Sequence, residues 1–268
     1  MTQGKFAQDS AVTPLGDGLF EVEISKDWWG HGGPHGGYMA ALMLRAFTAH
    51  VDEPERLPKS MTCHFMRPPS LGRAVIHVTT ERAGRGVSFL SARLLQDNVP
   101  FITALAAYGF EREGAINYSS PAPAVPAAED IPPPPAASRT RTFFGQLEYR
   151  ACLGARVYSG ADEAMIGGWI KLSDEAEVDA PALTLFGDAW PASAWVRQTE
   201  PTRSSPTMDM TFHFRNHIPA DTTWVLARMR STTSAHGFFE EDGELWAPDG
   251  TLLLQTRQLA LVGRPQPA

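Results

Sequence analysis

The pattern of hydrophobic and polar positions predicts the same run of elements twice along the chain. Apolar residues at a spacing near 3.6 predict a helix over Gly36–His50, and a second helical segment runs from Ala180 to about Trp195. Each helix is followed by four strand-like segments. They begin at Met61, Ala74, Val87 and Pro100 in the first half and at Met208, Thr223, Gly237 and Thr251 in the second. The repeated order indicates an internal duplication.

Turn signals between these segments predict antiparallel hairpins. The first half has Gly84-Arg85-Gly86 and Asp97-Asn98, and the second has Pro248-Asp249-Gly250. One helix followed by a long antiparallel sheet predicts an α+β fold in which each sheet wraps round its helix. We expect the two sheets to pair edge to edge, because this covers strands that would otherwise be open to aggregation.

A proline- and alanine-rich stretch divides the two halves. Its prolines can neither continue a helix nor pair within a central strand, so an extended, partly polyproline linker is expected over residues 119–137. The predicted units are therefore residues 1–118 and 138–268. The segment 140–177 is expected to begin the second unit with strands.

Composition and charge narrow the class of protein. The chain has 268 residues, 43% of them hydrophobic, and a formal net charge of −7. It therefore has enough apolar surface for a core, and its acidic balance disfavours nucleic acid and anionic membranes as partners. With no membrane-span pattern and no signal peptide in the sequence, a cytoplasmic location is expected. The two cysteines, Cys63 and Cys152, are too few for a disulfide framework and are expected to be small buried residues.

Glycines precede the first predicted helix in the stretch Trp28-Trp29-Gly30-His31-Gly32-Gly33-Pro34-His35-Gly36-Gly37-Tyr38. Exposed N–H groups at a helix start can hold an oxyanion or a phosphate. The alternative is a tight turn required where the helix enters a crowded sheet. A metal site at His31 and His35 is disfavoured, because Pro34 and the glycines exclude an established helix there.

The two halves differ at positions that could carry chemistry. Aligning Arg67 with Arg215 sets an offset of 148, which places Asp209 opposite Met61, and the later turns set an offset of 152, which places Gln258 opposite Ala106. A carboxylate and an amide thus replace apolar residues, which a structural duplication gives no reason to do. The structural alternative makes Asp209 a strand-end cap and Gln258 a surface residue.

The glycine-rich stretch, the strand His64-Phe65-Met66-Arg67-Pro68 and the region from Asp209 to Phe214 with Gln258 resemble the acyl-CoA thioesterase II family. The resemblance implies a double hot-dog fold and hydrolysis of acyl-CoA to free acid and coenzyme A, without cofactor or metal. It also implies a homodimer or homotetramer. It places an Asp, a Thr and a Gln that activate water at Asp209, Thr232 and Gln258, with Ser231 and Thr233 as alternative hydroxyls.

The substrate is expected to bind at Gly36, Gly37 and Tyr38, and at Arg67 if that side chain contacts the phosphates of coenzyme A. Because Arg67 and Arg215 recur in both halves, a structural role for them is the alternative. A serine nucleophile is unsupported, because no Gly-x-Ser-x-Gly motif occurs. Two other functions stay open, a non-catalytic acyl-CoA or fatty-acid binding protein and a hot-dog hydratase.

Overall fold

The computed structural model describes residues 4–30, 32–134, 143–202 and 204–263. Three α-helices lie in these ranges: α1 (Lys5–Asp9), α2 (Gly36–Val51) and α3 (Ala180–Phe186). The strands of the first half are β1 (Thr13–Gly16), β2 (Leu19–Ile24), β3 (Leu57–Phe65), β4 (Gly72–Arg82), β5 (Val87–Gln96) and β6 (Val99–Gly109). Those of the second half are β7 (Leu147–Gly154), β8 (Ala164–Leu172), β9 (Thr207–Phe214), β10 (Val225–Ser231), β11 (Ser234–Ala235), β12 (Phe238–Trp246) and β13 (Leu252–Leu261).

The strands form one continuous antiparallel sheet. Its order is β1-β2-β4-β5-β6-β3-β9-β13-β12-β10-β8-β7, with β11 paired to β12. From the central β3–β9 pair to the edges, the order is β3-β6-β5-β4-β2-β1 in the first half and β9-β13-β12-β10-β8-β7 in the second. Strands at the same place in the two orders are equivalent. The structure therefore confirms the predicted α+β fold, in which two helix-and-sheet units join edge to edge as a double hot-dog.

The central helix α2 matches its prediction closely. It begins at Gly36 and ends at Val51, where Asp52 adopts a left-handed conformation as the C-cap. Residues 37–44 are all buried, because the helix packs against the sheet on one side and against α3 on the other. The sequence pattern predicted the helix, whereas its burial on all sides results from its position between the sheet and α3.

The second helix is shorter than its hydrophobic pattern predicts. It is capped at Asp179, whose side chain accepts from the Ala182 N–H, and it ends at Phe186. Pro191 follows soon after and disfavours a helical conformation at the residue before it. Helical structure resumes only as a short 3-10 helix over Ser193–Arg197.

The proline-rich stretch covers the outer face of the second half of the sheet. The indole N–H of Trp246 donates to the Ser120 carbonyl at 3.2 Å, and that of Trp169 donates to the Pro126 carbonyl at 2.9 Å. Residues 135–137 of the predicted linker lie outside the described residues. The division of the chain into 1–118, 119–137 and 138–268 stays a prediction.

None of the helices in the described ranges is long and apolar enough to cross a bilayer. The predicted location and the predicted homodimer or homotetramer stay predictions.

Candidate active site

A chain of hydrogen-bonded polar side chains lies on the inner face of the second half of the sheet. The Thr207 hydroxyl donates to Gln258 Oε1 at 2.7 Å, and Gln258 Nε2 donates to Glu241 Oε1 at 2.7 Å. The second oxygen of Glu241 accepts the backbone N–H of Ser193 at 2.5 Å. Gln258 is 7% exposed and Glu241 is 3% exposed. Polar groups buried to this extent need partners, and these have them.

A β-bulge puts Thr207 into this chain of side chains. Leu259 of β13 pairs with Asp209, but the next residue, Ala260, pairs with Thr207, so Met208 is the extra residue of β9. Without the bulge, Thr207 and Asp209 would point to the same face of the sheet. With it, Thr207 points inward to Gln258.

Asp188 lies where the two helices meet. It follows the end of α3, and its Oδ2 accepts the backbone N–H of Gly37 in the first turn of α2 at 2.7 Å. The two residues are 151 positions apart in sequence. The His35 ring is close to the same oxygen, with its Nδ1 atom 3.7 Å from Asp188 Oδ2. The site is therefore built from both halves of the chain.

Burial sets the protonation of this pair. Loss of hydration raises the pKa of Asp188 from 3.8 to about 7; the Gly37 N–H opposes the rise, and the neighbouring Glu241 charge adds to it. Burial lowers the pKa of His35 to about 3, so the ring is neutral at pH 7. A carboxyl that titrates near neutral pH is suited to general acid–base chemistry.

The two glycines that begin α2 allow the helices to approach each other. A Cβ at Gly36 would lie 2.7 Å from Asp188 Oδ2, and one at Gly37 would lie 2.8 Å from the Leu185 carbonyl oxygen. The sequence predicted either an anion at this helix start or a crowded turn. The structure has both features, and the anion-binding N–H of Gly37 is taken by the chain's own Asp188.

Aromatic rings form a continuous row beside Asp188. His35 stacks on Phe143 with 3.7 Å between ring centroids, and the row continues through Phe144 and Tyr149 to Trp190. The Tyr149 hydroxyl donates to the carbonyl of Ala189, the residue after Asp188. The row therefore reaches Asp188 near both of its ends, through His35 beside the carboxyl and through the Tyr149 contact with the following residue.

The structure does not bring Asp209, Thr232 and Gln258 together. Asp209 pairs with Leu259 and His64 on the outer face of the sheet, opposite to the face that carries Gln258. Thr232 is exposed in the turn after β10, where its hydroxyl donates to Glu240 Oε1 at 2.7 Å. Only Gln258 of the predicted trio is in the inner polar cluster.

The misplacement of Asp209 comes from a one-residue error in the alignment of the halves. The Met66 N–H bonds the Phe101 carbonyl, and the Arg215 N–H bonds the Leu253 carbonyl. Phe101 and Leu253 differ by 152, the offset that also relates Ala106 to Gln258, so Met66 rather than Arg67 corresponds to Arg215. The correct offset for this strand is 149, and a slip of one residue moves a side chain to the other face.

The other predicted binding residues have separate positions. Tyr38 belongs to the core of the first half, where it stacks on Trp28 and its hydroxyl donates to the Asp9 carbonyl at 2.7 Å. Arg67 is exposed, with its guanidinium over the Phe101 ring. His31 lies outside the described residues. Burial raises the pKa of Cys63 to about 12, so this thiol is protonated at pH 7.

Sequence reasoning missed Asp188, Thr207 and Glu241. Asp188 is the one charged residue between Ala180 and Trp195, and a lone carboxylate in an apolar stretch was a signal that could have found it. Thr207 gave no comparable signal, because the simple alternation of a strand places it on the wrong face. Glu241 stands in a run of acidic residues that looks like a solvated surface.

Comparison with known proteins agrees with this architecture. Residues 25–109 match the family model described as the acyl-CoA thioesterase N-terminal domain, and residues 124–262 match the one described as its C-terminal domain. The fold defines a double hot-dog protein, and the two matches cover most of the chain. The chain belongs to the acyl-CoA thioesterase family.

Similar proteins span nearly the whole chain. An uncharacterised protein of Mycobacterium tuberculosis is 26% identical over 269 residues, which is 91% of each chain. A hot-dog protein of unknown function from Alicyclobacillus acidocaldarius is 25% identical, with a TM-score of 0.88 over 99% of this chain and 100% of that one. A putative thioesterase II from Thermobifida fusca is 24% identical, with a TM-score of 0.86 over 98% and 99%.

Proposed function

We propose that this protein is an acyl-CoA thioesterase that hydrolyses its substrate by direct attack of water, with Asp188 as general base. The observation that carries the proposal is a largely buried carboxyl, whose pKa is raised to about 7 partly by the charge of Glu241, in a chain of this family. The same Glu241 is hydrogen-bonded to the Thr207–Gln258 pair. Asp188 replaces Asp209 in this role, and Thr207 replaces Thr232.

The hydrogen-bond directions fit the activation of one water molecule. The single hydroxyl proton of Thr207 is donated to Gln258, so the lone pairs of the Thr207 oxygen are left to accept from water. The water gives its other proton to ionised Asp188 as its oxygen attacks the thioester carbonyl. The C–S bond of the tetrahedral intermediate then breaks, and the departing thiolate takes the proton back from Asp188.

The negative charge that develops on the carbonyl oxygen needs a donor. The start of α2 is beside Asp188, and no described residue accepts the backbone N–H of Gly36. We assign this N–H, with the partial positive charge of the helix N-terminus, to the oxyanion. Gly36 thus remains a substrate-binding residue, whereas Gly37 holds the base.

Coenzyme A is proposed to contact the exposed guanidinium of Arg67. Arg67 lies just after the end of β3, the strand that pairs with β9 of the second half. The proposal requires no metal and no covalent intermediate. A cytoplasmic homodimer or homotetramer remains part of it.

Release of free thiol from a panel of acyl-CoAs of increasing chain length tests this function. Asp188→Asn should lower kcat by about 10²- to 10⁴-fold, the usual contribution of a general base. Asp209→Asn is the matched control, since it also removes a carboxylate, but from the outer face of β9, the strand next to β13. If Asp188→Asn keeps its turnover, the proposed mechanism is wrong.

The pH dependence gives a second check. Because Asp188 acts in its ionised form, kcat of the wild-type protein should fall as the pH drops below about 7. Tight binding of an acyl-CoA without cleavage of any member of the panel would instead identify a binding protein.

A further inference from the structure

We propose that Glu241 is a positioning residue of this site: its carboxylate holds the Gln258 amide in the orientation that leaves Thr207 free to accept from water, and it adds a second buried negative charge beside Asp188. This inference rests on the function proposed above. It concerns a residue that neither the sequence nor the assigned water-activating trio had singled out.

The comparison of the two halves shows that Glu241 is not a packing residue. Glu241 of β12 pairs with Gln258 of β13 on the inner face of the sheet. In the first half the corresponding pair is Leu90 and Ala106. The duplicated fold therefore accepts an apolar pair here, whereas burial of a carboxylate is costly unless it is well bonded.

Hydrogen bonding at Glu241 determines which group donates and which accepts in each hydrogen bond from Glu241 to Thr207. An ionised carboxylate only accepts, so the NH₂ group of Gln258 must face it and the amide oxygen must face Thr207. Thr207 must then donate its only hydroxyl proton to that oxygen. The Ser193 N–H holds the far side of the carboxylate, which keeps Glu241 in place.

Charge is the second part of the inference. Asp188 is faced by His35, the N-cap residue of α2, by the Gly37 N–H in the first turn of that helix, and by Glu241 of β12. Glu241 is faced by the Ser193 N–H, by Gln258, and by the charge of Glu240 on its own strand. Among the described residues no Lys or Arg forms an ion pair with Asp188 or with Glu241. Burial is the main reason that the pKa of each is raised, and the Glu241 charge adds to the rise at Asp188.

The variant Glu241→Gln tests both parts. The new amide can accept from the Ser193 N–H only by turning its NH₂ group toward Gln258, which reverses the hydrogen bonds as far as Thr207. We expect kcat to fall by about 10- to 100-fold with little change in KM, because water rather than substrate is misplaced. The acidic limb of the kcat profile should move to lower pH, because Asp188 loses a neighbouring charge.

The exchange variant Glu241→Gln/Gln258→Glu separates orientation from simple packing. A carboxylate at 258 would accept both from the amide at 241 and from Thr207, so the direction of the Thr207 bond is restored. We expect this double variant to recover kcat at least several-fold over Glu241→Gln. Asp242→Asn, on the same strand but exposed on the outer face, is the matched control, and circular dichroism melts verify that each variant is folded.

A readout without turnover keeps the inference testable if the protein has no thioesterase activity. A raised pKa makes the ionised Glu241 destabilising, and this destabilisation grows as the pH rises above the ordinary value near 4.5. Glu241→Gln should therefore raise Tm relative to wild type more at pH 8 than at pH 5.

The outcomes distinguish the two proposals. A wild-type protein that cleaves no acyl-CoA refutes the proposed function, and the melts alone then decide whether Glu241 carries the buried charge. A wild-type protein that turns over while Glu241→Gln matches it in kcat and pH profile refutes only the role of Glu241. An exchange variant no more active than Glu241→Gln refutes the orientation argument.

Discussion

Replacement of Asp188 by asparagine should stabilise the folded protein at pH 8, although it removes the proposed base. The amide oxygen of asparagine can still accept the Gly37 N–H, so the contact between the two helices is kept. The wild-type protein incurs a free-energy cost when Asp188 ionises in the folded state, since folding raises the pKa of this carboxyl from 3.8 to about 7. The neutral asparagine removes that cost.

The direction and size of the effect follow from proton linkage. A carboxyl with a raised pKa in the folded state contributes its full stability below the unfolded value near 3.8, and that stability is lost as the pH rises to about 7. Each tenfold change in proton affinity is worth about 1.4 kcal/mol, so the wild-type protein loses up to about 4 kcal/mol over this range. Of this, about 2 to 3 kcal/mol falls between pH 5 and pH 8.

Urea unfolding of both proteins at pH 5 and at pH 8 measures this difference. The free energy of unfolding of Asp188→Asn minus that of wild type should grow by about 2 to 3 kcal/mol from pH 5 to pH 8. Asp209→Asn, on the outer face, is the control for removal of one carboxylate from the protein. A difference that is the same at both pH values would show that Asp188 is not buried in the way that the proposed mechanism requires.

Two further predictions test the packing around the site. Gly37→Ala should destabilise the fold by about 1–3 kcal/mol and reduce turnover, because its Cβ would lie 2.8 Å from the Leu185 carbonyl oxygen; a thermal melt beside the thiol-release assay measures both, and an unchanged Tm would contradict the close helix contact. Cys63 should resist a thiol reagent at pH 8 until the protein is unfolded in urea, because burial raises its pKa to about 12. Peptide mass spectrometry after labelling reports this, and rapid labelling of native Cys63 would be the contrary result.

The sequence was sufficient for the architecture because both halves carry strong local periodicity. The strand predicted over Val87–Gln96 has the same bounds in the structure, and the helix predicted from Gly36 is only one residue longer. The turn at Asp97-Asn98 is confirmed by positive φ angles at both residues. These features depend on neighbours along the chain, which a single sequence displays.

The site depended on features that local patterns do not contain. A bulge at Met208 decides that Thr207 points inward, and the pairing of Asp209 with Leu259 sets the register that turns Asp209 outward. Both effects change a side chain's face without changing the alternation that predicts the strand. An alignment of the two halves from their sequences alone was therefore correct for the fold and wrong by one residue for the site.

The sequence by itself determined the duplicated α+β fold, the glycine-rich start of α2 and the inward position of Gln258. Only the tertiary structure decided which carboxylates join that amide. Asp188 reaches the first turn of α2 from 151 residues away, and Glu241 meets Gln258 through the pairing of β12 with β13. The physical reason is that burial and long-range contact set the charge state of these groups, and both arise only when the two halves close around their helices.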